Sequence, residues 1–225
     1  TVSRRAFPIA RALIARDHQV TIIVPPYDCL ADSGKGFVRQ GIEIHNLRLD
    51  RVAPWTPVSA AWQMASSARR RRPDLVHVFK PVGYAALAGM ILHYTSRLPI
   101  VVDSDDWEGT GGWNSVNPYP WHWRRFFDFQ ERWLPHHARA VTVASRTLQT
   151  QMWGMGIPPE QVFYAPNCPG QDLLEQSGQD NGQQEQDLRA ALGVDDAPMA
   201  IYVGHITLGD DLDLAIHAFA QTLRR

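Results

Sequence analysis

Four carboxylates crowd into one short segment: Asp103, Asp105, Asp106 and Glu108 lie within six consecutive positions. Negative charges this close repel one another, which raises the pKa of some of them unless a cation or sugar hydroxyls occupy the site. Such a segment could serve in three ways. One carboxylate could accept a proton or a hydrogen bond from a substrate hydroxyl, or the group could bind Mg²⁺ or Mn²⁺. Alternatively, Asp103 could act as a nucleophile, as in a phosphatase. Trp107 disfavours the phosphatase, whose motif has a small Thr or Val there. Solvated acids at a strand end are the plain alternative.

Lys80 and His77 are the other ionisable side chains of this part of the sequence. Lys80 follows a short apolar run, so it is expected at a strand end, where it could hold a phosphate or an acidic acceptor, or pair with one of the acids. His77 lies inside the apolar run, which favours a hydrogen-bonded core histidine over a catalytic one. Lys80 is therefore the better candidate for substrate binding.

Two predicted strands position these groups. Residues 72–81 and 99–109 each contain a short apolar strand followed by polar residues, and residues 82–94 between them are rich in Ala, Leu and Gly, as in a buried crossover helix. A strand–helix–strand unit makes its strands parallel. Ligands of open parallel sheets bind outside the carboxyl ends of the strands. Lys80 and the acidic run are expected together at that edge.

Further strands and helices alternate on both sides of this unit, which predicts an α/β fold with a Rossmann-like parallel sheet and helices on both faces. We expect residues 1–167 to form this domain, residues 168–197 a polar linker, and residues 198–225 the first βα unit of a second Rossmann-like domain. A strand is predicted over 140–144, and Ser145 is expected to cap the helix 146–154 that follows. A further strand is predicted over 199–204 and a helix over 211–223. The opening helix lacks a preceding strand, and the last helix reaches the final residue, so the sequence is expected to be a fragment.

Composition narrows the class of protein. The chain has 225 residues, 44% hydrophobic and 20% charged, as in ordinary globular proteins. Residues 1–150 carry 19 Lys and Arg against 12 Asp and Glu, and residues 151–225 carry 3 against 11. The basic part would attract anionic substrates or a phospholipid surface, or form a solvated face. Basic residues are not interleaved with aromatics on a strand-binding platform, so nucleic acid is not an expected partner.

The predicted helix 121–134 carries an aromatic stripe beside arginines. Such a stripe usually belongs to the core, and the rival interpretation is a helix that contacts a membrane surface. The two cysteines have no metal-type spacing and cannot form a disulfide scaffold, so a reducing compartment is expected. The longest apolar run is too short to cross a bilayer. A cytoplasmic protein is predicted, with peripheral contact at the inner membrane face left open.

A series of short motifs runs along the chain. They are ARDHQVT at 15–21, PDLVHV at 73–78, VTVAS at 141–145, QVFYAPN at 161–167, and LRAALG at 188–193 with IYVG at 201–204. In this order they resemble the RGHEVT, PDVVHVH, "vi.vS" and "kv.vipNG" segments and the "R..LG......yvGrl" region of group 1 (family 4) glycosyltransferases. Each motif is loose, but together they cover nearly the whole chain.

The resemblance implies a GT-B fold, in which two Rossmann-like domains face a cleft and a sugar moves from a nucleotide-sugar to an acceptor with retention of configuration. It implies that residues 1–167 bind the acceptor, a sugar, a lipid-linked group or a small molecule, and that the second domain binds the donor. No metal and no cofactor are implied. A fragment of this extent is expected to be inactive alone.

The residues implied for the site depart from the family in places. Asp105 and Asp106 stand where most members have a catalytic His, so they are the expected catalytic pair. Lys80, Asp103, Glu108 and Asn167 are the expected substrate-binding residues, and Gly204 and His205 the donor-binding ones. The family has Arg where His205 stands, and a Lys-Gly pair near the acidic residues 210–211.

Two alternatives remain open from sequence. The first is a metal-dependent transferase that clamps a nucleotide diphosphate through Asp103-Ser104-Asp105. The second is a non-catalytic paralogue that binds a sugar or a partner.

Overall fold

The computed structural model describes residues 2–27, 29–49, 55–168, 182–194, 197–202 and 212–222. The chain divides into two units, Thr1–Cys168 and Pro169–Arg225. Each unit is considered by itself below.

The first unit alternates helices and strands along the chain. Its helices are α1 (Phe7–Ile14), α2 (Thr56–Arg71), α3 (Gly83–Thr95), α4 (Trp113–Val116), α5 (Trp121–His136) and α6 (Arg146–Gly154). Its strands are β1 (Thr21–Val24), β2 (Gly36–Arg39), β3 (Ile42–Asn46), β4 (Val76–Phe79), β5 (Ile100–Ser104), β6 (Ala140–Val143) and β7 (Val162–Tyr164). A π-helical turn, Val2–Ala6, leads into α1. The predicted α/β class is confirmed.

The main sheet is parallel, with the strand order β4-β5-β6-β7. Phe79 of β4 lies beside Asp103 of β5, and Asp103 lies beside Thr142 of β6. The residues that follow β4 and β5 therefore leave the same edge of the sheet, as the strand–helix–strand pattern predicts. This sheet is the Rossmann-like element expected from the sequence.

A second, smaller sheet has the order β1-β3-β2. β1 and β3 are parallel, whereas β2 is antiparallel to β3 through a turn at Gln40 and Gly41, both at positive φ. The sequence prediction missed β2, because all four of its residues are exposed and show no alternation of buried and exposed positions. Ile23 of β1 packs against the core that contains Val78 of β4. The small sheet has its own core cluster around Ala10, Ile42 and Ile44, and Ile23 connects it to the core of the main sheet.

The core explains why α3 is rich in small residues. Ala86 and Ala88 are buried in the cluster that contains Val78 and Val102 of the main sheet. A Cβ atom on Gly89 would lie 3.1 Å from a methyl carbon of Leu134 on α5. Small side chains therefore let α3 pack closely between the sheet and α5, which fixes where α5 lies relative to the ends of β4 and β5.

The aromatic stripe of α5 is divided between core and surface. Leu134 and Gln130 are fully buried, and the Gln130 amide both accepts from and donates to the backbone of Gly83 at the start of α3. The aromatic rings of the predicted stripe, Trp123, Phe126, Phe127 and Trp133, are half-buried, whereas Trp121 and Phe129, which do not belong to it, are exposed. The stripe is therefore part of the core at Gln130 and Leu134 and is partly buried along its rings. α6 begins as predicted, with Ser145 accepting a hydrogen bond from the backbone N–H of Leu148 at 3.1 Å.

The second unit contains helices α7 (Gly182–Ala191) and α8 (Leu212–Thr222). Residues 169–181 of the predicted linker lie outside the described residues, and α7 begins within that linker. The prediction of a strand over 199–204 is wrong for its described part, because residues 199–202 adopt no strand. A strand requires a neighbour for its backbone hydrogen bonds, and neither sheet of the described chain includes these residues.

Candidate functional site

Lys80 and the acidic residues meet at the carboxyl edge of the main sheet. The backbone N–H of Lys80 donates to the carbonyl of Asp103 at 3.0 Å, which extends the β4–β5 pairing by one residue. Lys80 then turns away with φ of 64°, a left-handed conformation that is unfavourable for a residue with a side chain. Backbone strain of this kind often occurs where a side chain must be aimed at a site.

The Lys80 ammonium is held by the acids opposite. Its Nζ donates to Glu108 Oε1 at 2.6 Å and to Asp106 Oδ2 at 3.4 Å. Burial alone would lower the pKa of Lys80, but the hydrogen bond to Glu108 and the negative charges of Glu108, Asp105 and Asp106 outweigh it and raise the pKa. Lys80 is therefore a cation within the cluster, and it offsets part of the repulsion among the carboxylates.

Asp105 and Asp106 differ in their surroundings. Asp105 is half-buried, and its Oδ1 is buried without a hydrogen-bond partner in the described structure. Burial raises the pKa of Asp105, Lys80 opposes the rise, and the charges of Asp106 and Asp103 add to it. Asp106 exposes 48% of its side chain. The pair thus consists of a half-buried carboxyl group with one buried oxygen that lacks a donor and a second carboxylate that is open to solvent, where it can accept hydrogen bonds from hydroxyl groups.

Glu131 of α5 lies beneath this cluster and was missed by the sequence prediction. It is fully buried, and neither carboxyl oxygen makes a hydrogen bond of normal geometry. Burial and the nearby charge of Glu108 raise its pKa to about 8, against weaker opposing effects of the Glu108 backbone, Lys80 and the Ser104 hydroxyl. Glu131 therefore carries a proton at neutral pH. The sequence could have indicated a buried Glu131 only through its position three residues before Leu134, on the same face of the predicted helix.

Asp103 is placed differently from the other acids. It is fully buried, and both of its oxygens accept hydrogen bonds from Arg5, at 2.9 and 2.8 Å. The Thr142 hydroxyl also donates to Asp103, at 2.5 Å. Arg5 further donates to the Ala165 carbonyl and, at 3.3 Å, to Asn167 Oδ1. The sequence prediction missed Arg5, because nothing local to it signals a partner 98 positions away.

The Arg5 contacts connect the ends of three elements. One guanidinium group joins the turn before α1, the end of β5 and the segment after β7, and its partners range from buried Asp103 to exposed Asn167. His77 belongs to the same region: its Nε2 lies 3.3 Å from Thr142 Oγ1, and burial lowers its pKa against the charge of Asp103. His77 is therefore a hydrogen-bonded interior histidine. Asn167, a predicted substrate-binding residue, lies at the margin of this network.

The loop after the acids is closely packed. A Cβ atom on Gly112 would lie 2.1 Å from the Trp107 carbonyl oxygen, so this position requires glycine. The Trp107 indole donates to the Thr110 carbonyl at 2.8 Å, and Asp128 of α5 accepts from the Thr110 backbone at 3.0 Å. The Gly-, Asn- and Pro-rich stretch 109–120 contains the short helix α4. These contacts hold the acidic segment against α5.

Other predicted or alternative features lie elsewhere. Gly204 and His205 fall outside the described residues. Two depressions of about 400 and 390 Å³ occur at the opposite edge of the main sheet, one lined by Arg69, Arg72 and Arg97 and the other by Arg97, His137 and Arg139. These basic residues surround the C-terminal ends of helices, whose dipoles they complement. Within the described part of the chain, no three His, Cys, Asp or Glu side chains are arranged to hold a metal ion.

Comparisons with known proteins bear on the first unit. Residues 1–168 match the family model described as a glycosyl transferase 4-like domain. Among solved structures, the chain is similar to UDP-N-acetylglucosamine 2-epimerase from Rickettsia bellii, with 11% identity and a TM-score of 0.43. That match covers 78% of this chain and 52% of the epimerase, so the chain spans about half of the epimerase's length. A search of curated proteins found no match.

Proposed function

The chain belongs to the glycosyl transferase 4-like domain family, and from this premise we propose that it transfers a sugar from a nucleotide-sugar to an acceptor hydroxyl with retention of configuration. The observation that carries the proposal is the cluster of Lys80, Asp105, Asp106 and Glu108 at the carboxyl edge of the parallel sheet. This edge is the ligand-binding side of open α/β sheets. The cluster offers carboxylate acceptors to hydroxyl groups and one cation to balance them.

In the proposed reaction the acceptor oxygen bonds to the anomeric carbon of the sugar. The bond from that carbon to the donor phosphate breaks, and the nucleoside diphosphate leaves with the electron pair. Asp106 is the accessible carboxylate, so it receives hydrogen bonds from the reacting groups and is the nearest acceptor for a proton. Asp105 is half-buried beside Asp106, and we assign it a hydrogen bond from a sugar hydroxyl through the accessible part of its side chain. Lys80, which is held by Glu108, donates to Asp106 and so orients that carboxylate.

Asp103 has a positioning role in this proposal. Its oxygens are engaged by Arg5 and Thr142, and its side chain is fully buried, so it holds the end of β5 rather than contacting substrate. This engagement also weighs against the metal-dependent alternative, which needs Asp103 and Asp105 on the same cation. Asn167 reaches the acceptor only if the segment after β7 faces the substrate.

The remaining parts of the proposal concern the whole protein. We propose that a second Rossmann-like domain, to which Gly204 and His205 belong, binds the nucleotide-sugar across a cleft from the acid cluster. The acceptor is a sugar, a lipid-linked group or a small molecule. Both cysteines are free and exposed, which supports a reducing compartment such as the cytoplasm. In the described residues no helix has the length and apolar character needed to cross a bilayer.

A donor screen on the full-length protein tests the proposal, with release of the nucleotide as the readout. We expect turnover with one nucleotide-sugar, and we expect Asp105→Asn and Asp106→Asn each to lower it by at least ~100-fold with folding retained. Asp74→Asn is the matched control, because Asp74 is exposed and precedes β4 at the opposite edge of the sheet. A loss below about threefold for both variants would remove the aspartates from the site, on the scale expected of a positioned group.

The same screen separates the alternatives. Strict dependence of turnover on Mn²⁺ would favour the metal-dependent transferase. Binding of a nucleotide-sugar without turnover by the full-length protein would favour the non-catalytic paralogue.

A further inference from the structure

The segment that follows the acid cluster has an unusual surface. Residues 109–127 contain no Asp or Glu, although they carry two arginines. Four large side chains of this segment are exposed, with Val116 at 76% and Trp121 at 73%. We name the set the aromatic–basic surface, defined as Trp113, Val116, Tyr119, Trp121, Arg124 and Arg125. Clustered exposure of large apolar side chains marks an interaction site more often than scattered exposure does.

Hydrogen bonds hold this surface in one shape. Asn114 is buried, and its Nδ2 donates to the Arg124 carbonyl at 2.7 Å. The Arg124 guanidinium donates to the carbonyls of Tyr119 and Asn117, at 3.0 and 3.1 Å. The Tyr119 ring packs edge-on against Phe127, with 5.2 Å between the ring centres. These contacts fix the segment against the first turns of α5 and keep its exposed rings on the surface.

The charge and the ring types indicate what the surface contacts. Neither Arg124 nor Arg125 forms an ion pair with an acidic side chain of the described residues, so their charge is available to an anionic partner. Trp and Tyr are the side chains that prefer the headgroup region of a bilayer, and arginines beside them are attracted to anionic lipids. A protein partner would need an apolar pocket for each ring, whereas a bilayer accepts all of them at once.

We propose that the aromatic–basic surface docks the protein on an anionic phospholipid bilayer. The second half of α5 is anchored in the core by Leu134, so only side chains enter the headgroup layer and the contact is shallow and reversible. The backbone N–H groups of Trp113 and Asn114 donate to the carbonyls of Trp107 and Glu108, at 3.0 and 3.1 Å. The acid cluster is therefore contiguous with the docking surface. Access to a lipid-linked acceptor follows if the proposed function holds; docking itself does not depend on it.

Vesicle co-sedimentation of the full chain tests the docking without any donor or acceptor. We expect binding to vesicles that contain phosphatidylglycerol and little binding to phosphatidylcholine alone. Replacement of both Trp113 and Trp121 by Ser should lower the partition by at least ~10-fold, because the rings supply the apolar contact. Trp62→Ser is the matched control, since Trp62 is 60% exposed on α2 and does not belong to this surface. Trp121→Ser alone carries the test if the double variant does not fold.

The contribution of the arginines to vesicle binding is tested by a second pair of variants. Arg125→Gln should weaken binding to the anionic vesicles by several-fold at low salt, and Arg70→Gln, an exposed arginine of α2, should not. Absence of binding to both vesicles, or equal losses for the Trp62 control and the double variant, would overturn the proposal. So would concentration-dependent self-association that the double variant abolishes without vesicle binding, because the surface would then join two copies of the chain. None of these readouts depends on sugar transfer.

Discussion

Replacing Glu131 by Gln should stabilise the first unit at neutral pH, and more so as the pH rises. Glu131 is fully buried, and its pKa is raised from 4.5 to about 8. Between these values the folded chain keeps a proton that the unfolded chain releases, so the free energy of unfolding falls as the pH rises. The stability associated with the protonated group is complete below about pH 4.5 and is lost progressively up to about pH 8.

The size of the effect follows from the same two pKa values. At ~1.4 kcal/mol for each tenfold change in proton affinity, the interval from 4.5 to about 8 corresponds to about 5 kcal/mol above pH 8. At pH 7 the free energy of unfolding is about 3 kcal/mol lower than at a pH below 4.5 on account of this group. This figure is an upper bound, because the buried site relaxes when it is charged. Gln has the shape of the protonated acid and does not titrate. The stability of Glu131→Gln should therefore exceed that of the native chain by no more than about 1 kcal/mol at pH 5, and by a larger amount at pH 8.

Denaturant unfolding at a series of pH values between 5 and 8 measures this difference. The quantity of interest is the change in the free energy of unfolding between the variant and the native chain as a function of pH. Glu160→Gln is the matched control, because Glu160 is exposed, and its pH dependence should follow that of the native chain. Parallel curves for Glu131→Gln and the native chain would refute the assignment of a protonated carboxyl under the acid cluster.

Two further predictions concern the packing around the site. Arg5→Met should destabilise the first unit by ~3–5 kcal/mol in denaturant unfolding, because it leaves the Asp103 carboxylate buried and unpaired. The double variant Arg5→Met, Asp103→Asn should recover part of this loss, and equal destabilisation by the single and double variants would contradict the pairing. Gly112→Ala should lower the free energy of unfolding by ~1–3 kcal/mol, because the new Cβ atom would collide with the Trp107 carbonyl. Gly154→Ala is the control, since a Cβ atom at Gly154 has nothing within 4 Å and should not lower the melting temperature. Similar melting temperatures for the two variants would argue against a tightly packed loop.

The local pattern of the chain predicted the elements and the edge that carries the site. Ser145 was identified as the cap of α6, and Lys80 and Glu108 were assigned to the ends of neighbouring parallel strands, where they form an ion pair. These predictions succeeded because strand alternation, helix capping and the direction of a crossover connection are local properties. β2 was missed because an edge strand without a buried face has no alternation to detect.

The amino-acid sequence by itself determined the α/β alternation, the acidic run and its place after a buried strand. Only the tertiary structure decided what each ionisable group does there. Asp103 is engaged by Arg5, 98 positions away, while Asp106 stays open to solvent. Glu131, an ordinary polar position in the helical pattern, becomes a buried acid because α5 packs behind the strand ends. Burial and ion pairing depend on contacts between distant segments, so no local pattern records them.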